Sequence, residues 1–170
     1  TTSPALMGNT VVWKPASTAA LSAHYTLQIL REAGLPDGVI NIVPGLGESA
    51  GAALAAHPDV DKIAFTGSTE VGKKIINAAA GNLKRVTLEL GGKSPMVVFP
   101  DADLDRVIPG VTRGAFFLQG QNCMAGTRLF VHRDIFDKVV SRVGDMANKF
   151  RIGPGLSPDS DLGPRISAEQ

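Results

Sequence analysis

Cysteine is almost missing from this chain: Cys123 is its one thiol in 170 residues. That excludes an internal disulfide framework and fits a reducing compartment. Net charge is nearly lacking too, at +1, which removes the electrostatic case for nucleic acid or an anionic membrane as partner. No apolar run reaches the roughly 18–20 residues that a membrane-spanning helix needs. Histidine is sparse, and His24, His57 and His132 stand apart without metal-site spacing. None of them pairs in an obvious way with Cys123, so papain-type proteolysis has little support. Repeats and low-complexity tracts are also lacking. What is present is ordinary for a globular protein: 44% hydrophobic and 19% charged residues, with enough apolar mass for a core. The length allows one ordinary domain or pieces of two. The chain starts at Thr1 without an initiator Met and stops just after Ser167-Ala168-Glu169, an unfinished turn or helix start. It is therefore expected to be a piece of a longer or processed protein.

Short apolar strands alternate with longer helical stretches, the pattern of a parallel α/β sheet. Strands are expected at 10–13, 39–43 and 62–66. A helix capped by Ser17 or Thr18 presents Leu21, Tyr25, Leu27, Ile29 and Leu30 and stops at Gly34. Further helices are expected at 48–56 and 70–80, the latter with Val71, Ile75, Ile76 and Ala79 for one face. From Lys84 the rhythm changes. Strand-like runs at 85–90 and 96–99 follow closely, then a helix at 103–117, a loop, a strand at 128–132 and a helix at 135–150. The segment 152–164 reads as a Gly- and Pro-rich surface loop. A domain change falls near Glu89 to Gly92, giving domains 1–89 and 90–170.

Chemistry concentrates at a few places. Cys123 lies in Gly120-Gln121-Asn122-Cys123-Met124-Ala125-Gly126-Thr127-Arg128, surrounded by small and polar residues rather than core neighbours. Such surroundings suit an accessible thiol, although an incidental small residue fits the local sequence equally. Glu89 stands between Leu88 and Leu90 before Gly91-Gly92. It reads as a half-buried acid fit for a general base, or through its alternation with Thr87 as a strand carboxylate on a wet face. Gly67-Ser68-Thr69-Glu70-Val71-Gly72 sits where a strand becomes a helix, a place suited to holding phosphate and equally to plain capping. Gly45-Leu46-Gly47 is expected beside it on the same sheet edge. Lys14, at the end of the first strand, is a candidate ribose or phosphate contact or a solvated lysine.

Together, Gly8-Asn9-Thr10-Val11-Val12-Trp13-Lys14-Pro15, Phe65-Thr66-Gly67-Ser68-Thr69-Glu70-Val71-Gly72, Leu88-Glu89-Leu90-Gly91-Gly92-Lys93-Ser94-Pro95 and the cysteine run resemble the NAD(P)-dependent aldehyde dehydrogenase superfamily. The last two are similar to its glutamate and cysteine signatures, and Glu89 and Cys123 stand 34 positions apart, as that family would have them. The resemblance implies a Rossmann-like parallel sheet followed by the start of the α/β catalytic domain. It implies Cys123 as nucleophile, forming a thiohemiacetal and then a thioester, and Glu89 as the base for the hydrolytic water. For NAD or NADP it implies contacts from Lys14, Ser17, Gly47, Gly67, Ser68, Val71, Gly72 and Leu90, and it implies no metal. Many NAD-preferring members carry glutamate where Ser17 stands; serine removes a carboxylate that would repel a 2′-phosphate, so NADP is expected to be tolerated. Met124 suggests an apolar pocket wall.

The resemblance further implies a small aldehyde as substrate, a cytoplasmic homodimer or homotetramer, and a side-chain oxyanion donor upstream of Thr1. The 170 residues alone are accordingly expected to be inactive. A CoA-acylating relative generally lacks the glutamate, so Glu89 favours hydrolysis. A non-catalytic structural protein on the same fold has no need of both Cys123 and Glu89.

Overall fold

The computed structural model describes residues 2–170, which fall into two compact units, Thr1–Glu89 and Leu90–Gln170. In the first, α1 (Thr2–Leu6) leads to β1 (Val11–Trp13), a 3-10 turn at Ser17–Ala19 and α2 (Ala20–Glu32). There follow β2 (Ile40–Ile42), a π-helical turn at Gly47–Gly51, α3 (Ala52–Ala56), β3 (Lys62–Gly67), α4 (Thr69–Ala79) and β4 (Arg85–Leu90). β1 and β2 run parallel, with Val11 opposite Ile40 and Trp13 opposite Ile42. Parallel strands need a crossover between them, and α2 supplies it. β3 pairs with β4.

Two expectations need correcting in this unit. The glycine turns after β2 and β3 were to share one sheet edge, yet among the described residues β2 pairs with β1, β3 with β4, and no ladder joins β2 to β3. Alternation in a sequence tells which residues form strands, not which strands pair. Helix α2 is also turned differently from the expected stripe. It buries Ala23 and Leu27 and leaves Leu21, Tyr25 and Ile29 exposed. Ala23 and Leu27 are four apart and lie on one face; small Ala23 allows close approach to β2, whose Ile40 is buried. In α4, Ile75 is half-buried and Ala79 buried, whereas Val71 and Ile76 are exposed. Lys84 is buried, and its ammonium donates to the carbonyl of His57 at 2.5 Å.

The second unit is a β-α-β module followed by a helix. β5 (Pro95–Val98) and β6 (Arg128–Val131) pair in parallel, Pro95 opposite Arg128 and Val98 opposite Val131. α5 (Leu104–Phe116) connects them and α6 (Phe136–Ala147) follows. The core is Val98, Ile108, Val111 and Val139, with Met96, Leu129, Val131 and Val143 packed around it. Asp103 caps α5 by accepting from the Asp105 N–H at 3.0 Å. Pro109 lies inside α5 and brings no N–H to the helix ladder. One turn on, the buried Thr112 hydroxyl donates back to the Ile108 carbonyl at 2.8 Å. The expected helices at 103–117 and 135–150 are thus present but shorter, each flanked by 3-10 turns. No helix among the described residues is long and apolar enough to cross a membrane.

Candidate active site

The first unit gathers its candidate binding residues where strands end and helices begin. Lys14 follows β1, half-buried, and its ammonium donates to the carbonyls of Pro15 at 2.8 Å and Gly45 at 3.3 Å. It therefore spans the ends of the β1–β2 pair. A Cβ on Gly51 would stand 3.4 Å from Lys14 Cε, so the glycine leaves room for the lysine stem. Gly47 opens the π-helical turn and is exposed. Ser17 is exposed on the 3-10 turn. The expected cap by Ser17 or Thr18 is not formed: the residue before α2 is Ala19, with no side-chain cap bond. The 3-10 turn at Ser17–Ala19 leaves both hydroxyls ahead of the capping position.

After β3, Ser68 does cap α4, accepting from the Val71 N–H at 3.2 Å. Such a cap is worth about 1 kcal/mol. Gly67 has a local packing reason as well, since a Cβ there would run into the Phe65 ring. Val71 is exposed in the first turn of α4, while Gly72 is buried in it. Glu70, on the same turn, is held by Lys74 at 2.8 Å, and that hydrogen bond keeps its carboxyl below the ordinary value. Helix α3, which follows Gly47, packs against α4, which follows Gly67. These strand ends thus carry a lysine amine, a capped helix N-terminus and two glycine turns, the kinds of group that meet phosphate and ribose, with the exposed apolar Val71 beside the cap. Leu90 ends β4 half-buried. Of the two readings of Glu89, a half-buried acid or a strand carboxylate on a wet face, β4 shows the second: its residues alternate strictly between exposed and half-buried, and Glu89 is exposed. Period-two alternation with Thr87 decides its side.

In the second unit Cys123 is exposed on the loop between α5 and β6. Its thiol donates to Asn122 Oδ1 at 3.6 Å, and the same oxygen accepts from the Met124 N–H at 3.0 Å. Met124 itself is largely exposed. The loop is fixed at its base: Gly126 N–H donates to the Gly114 carbonyl at 3.0 Å, and Ala125 and Gly126 are buried. Gly126 has no room for a side chain, because Met96 fills the space. β5–β6 pairing brings residues 91–95 alongside; a Cβ on Gly92 would lie 3.4 Å from the Cys123 carbonyl oxygen.

Two interactions and one backbone conformation were not legible in the sequence. Arg128 Nε donates to the Lys93 carbonyl at 2.7 Å and ties the two loops together. Leu118 and Gln119 adopt left-handed φ of 51° and 60° before Gly120 at 73°, which costs about 1–2 kcal/mol per non-glycine residue. Gln121 Oε1 accepts from the Ile166 N–H at 2.9 Å, across 45 positions. Arg128 and Gln121 sit inside the motif; only their partners were hidden. No group of three or more His, Cys, Asp or Glu residues among those described could hold a metal ion. A cavity of about 350 Å³ between α2 and β2 and another of about 310 Å³ beside α4 are lined by none of the candidate residues.

Comparison with known proteins gives a consistent result. Residues 1–170 match the aldehyde dehydrogenase family. Aldehyde dehydrogenase 1A1 of Oryctolagus cuniculus is 54% identical over 169 residues, covering 98% of this chain and 34% of that protein. Aldehyde dehydrogenase, cytosolic 1, of Rattus norvegicus is 53% identical over 164 residues, covering 96% of this chain and 33% of its own length. The NAD+ complex of an aldehyde dehydrogenase from Bacillus cereus superposes with a TM-score of 0.89 at 48% identity, over 94% of this chain and 33% of that one. The chain thus spans about a third of the length of the curated relatives it matches.

Proposed function

Since the chain belongs to the aldehyde dehydrogenase family, we propose that it carries the nucleophile, the general base and part of the cofactor surface of an enzyme oxidising an aldehyde to a carboxylic acid. The observation that carries this reading is the exposed Cys123 thiol on a loop anchored at both sides by buried or hydrogen-bonded backbone. The Cys123 sulfur, as thiolate, adds to the aldehyde carbonyl carbon and forms a thiohemiacetal, with the backbone N–H of Cys123 as one donor to the developing oxyanion. NAD or NADP, when bound, supplies a hydride acceptor. Loss of that hydride leaves a thioester on Cys123. Glu89 takes a proton from water, whose oxygen attacks the thioester carbon; the C–S bond breaks, and the carboxylic acid and the thiolate are released. The exposure of Glu89 is compatible with a base that must meet water.

Lys14 and Ser17 would meet the adenosine ribose, Gly67 and Ser68 the pyrophosphate, and Val71 and Gly47 the adenine end, with Gly72 and Leu90 shaping the walls. The donor set at the ends of β1 and β3 supports this assignment. Ser17 presents no carboxylate at the ribose, so both NAD and NADP are accommodated. The substrate is a small aldehyde with an apolar body, and the complete enzyme is a cytosolic homodimer or homotetramer.

The test uses a polypeptide of the relatives' full length that carries this sequence. Cys123→Ser abolishes aldehyde-dependent NAD(P)H formation, and adding CoA leaves the parent's rate unchanged. Activity surviving in Cys123→Ser would refute the nucleophile, and acceleration by CoA with acyl-CoA as product would refute hydrolysis.

A further inference from the structure

The strained stem of the cysteine loop and the chain 40 residues further on are joined by glutamine side chains, and we propose that Gln121 is a positioning residue that sets the height of the Cys123 loop. The proposal rests on Cys123 being the nucleophile. Gln121 is half-buried, two residues before Cys123. Its Oε1 accepts from the Ile166 N–H at 2.9 Å while its Nε2 donates to the Leu118 carbonyl at 3.4 Å. Gln119 makes a parallel link. With its amide oxygen turned to the Gly163 N–H it accepts at 3.0 Å, and its amino group donates to the Leu118 carbonyl at 3.1 Å. Gln121 thus grips one backbone N–H of the segment 163–166, and Gln119, in that amide orientation, a second.

The residues just before that segment are themselves held. Arg151, just beyond α6, meets Asp161 through two guanidinium bonds of 3.0 and 3.2 Å, and Asp161 also accepts the Arg151 N–H at 2.9 Å. Gly153 N–H donates to the Leu162 carbonyl at 3.0 Å. α6 is fixed in the core by the fully buried Val139. Hydrogen bonds therefore fasten Asp161 and Leu162 to the chain just beyond α6, the backbone continues from there to Ile166, and Ile166 is bonded to Gln121 in the stem of the loop. Consecutive left-handed residues at Leu118 and Gln119 persist only where surrounding contacts over-determine them. Gln121 supplies such contacts from both sides: it ties off the carbonyl of the strained turn and fastens the turn to the tail. A nucleophile displaced by about 1 Å loses on the order of 100-fold in rate, so this fastening bears on turnover rather than on cofactor affinity.

The experiment compares Gln121→Met, which keeps size and loses both bonds, with Gln121→Glu, which keeps the acceptor for Ile166, in the full-length polypeptide. Gln121→Met is expected to lower kcat by about tenfold or more with the KM for NAD(P) unchanged, and Gln121→Glu to recover most of that loss. A Gln121→Met enzyme with the parent's kcat, or a Gln121→Glu enzyme as slow as Gln121→Met, overturns the proposal. Cys123→Ser is run alongside: if it stays active, the nucleophile assignment fails; if it is dead while Gln121→Met is unaffected, only the positioning role fails. The unmutated protein gives a check free of folding effects. Its Ile166 amide should exchange hydrogen about tenfold or more slowly than an unstructured amide; unprotected exchange overturns the clasp.

Discussion

Ile108→Ala offers a direct test of how the second unit holds its loop. Ile108 is 1% exposed, on α5, among Val98, Val111 and Val139. Truncation removes three carbons, worth about 2.4 kcal/mol at roughly 0.8 kcal/mol each. Close-packed neighbours on two helices and two strands can collapse only partly, so a residual cavity raises the cost to about 3–4 kcal/mol. The control is Ile152→Ala, a residue of the same type that is 77% exposed, for which a change within about 0.5 kcal/mol is expected. Urea unfolding of the 170-residue chain, followed by far-UV circular dichroism and read as a shift of midpoint at constant slope, measures both. A cost below about 1 kcal/mol for Ile108→Ala, or an equal cost at Ile152, would refute the placement of the core. Because α5 leads directly into the strained turn before Cys123, the same variant should also speed alkylation of the thiol by loosening its base.

Further expectations concern caps, packing and pH. Ser68→Ala should destabilise by about 1 kcal/mol through loss of the bond from the Val71 N–H, seen by thermal unfolding; an unchanged midpoint would contradict the cap. Gly67→Ala must displace the Phe65 ring, so it should destabilise, and Phe65→Leu should relieve part of that loss; equal penalties with either residue at 65 would show the ring is not the obstacle. Arg151 hydrogen bonds hold the Asp161 carboxyl below its ordinary value. Its folded value lies under the unfolded one, so the stabilisation is complete above the unfolded value, near pH 4, and is lost as pH falls through the folded value. An NMR titration of the Asp161 carboxyl with a midpoint at or above the ordinary value would contradict this.

The strands and helices were legible because their patterns are local. Val11–Trp13, Lys62–Gly67 and Arg128–Val131 are bounded by Pro, Gly or loop residues, and Asp103 announces a helix start. Where neighbours decide, the pattern misled. The apolar residues of α2 occupy more than one face, and only contact with β2 selects Ala23 and Leu27 over Leu21, Tyr25 and Ile29. Ser17 and Thr18 are good capping residues, but the 3-10 turn puts them two positions and one position ahead of the α2 cap at Ala19. Apolar neighbours on either side of Glu89 allowed burial, while its alternation with Thr87 pointed to the wet face, where it lies, because adjacent strand residues face opposite ways. The local sequence left the roles of Cys123 and Glu89 open, and it was the resemblance carried by their runs and by the 34 positions between them that singled them out. Links such as Gln121 to Ile166 and Arg128 to Lys93 depend on tertiary closure and leave no spacing to read.

The most direct test asks where the acyl group resides and what removes it. Mix the full-length Glu89→Gln variant with an aldehyde and NAD(P), quench within one turnover, and map the adduct by peptide mass spectrometry. One acyl group should accumulate on the peptide containing Cys123, with a burst of NAD(P)H and slow steady-state turnover. An unmodified Cys123 peptide, or undiminished steady-state turnover, would contradict the account.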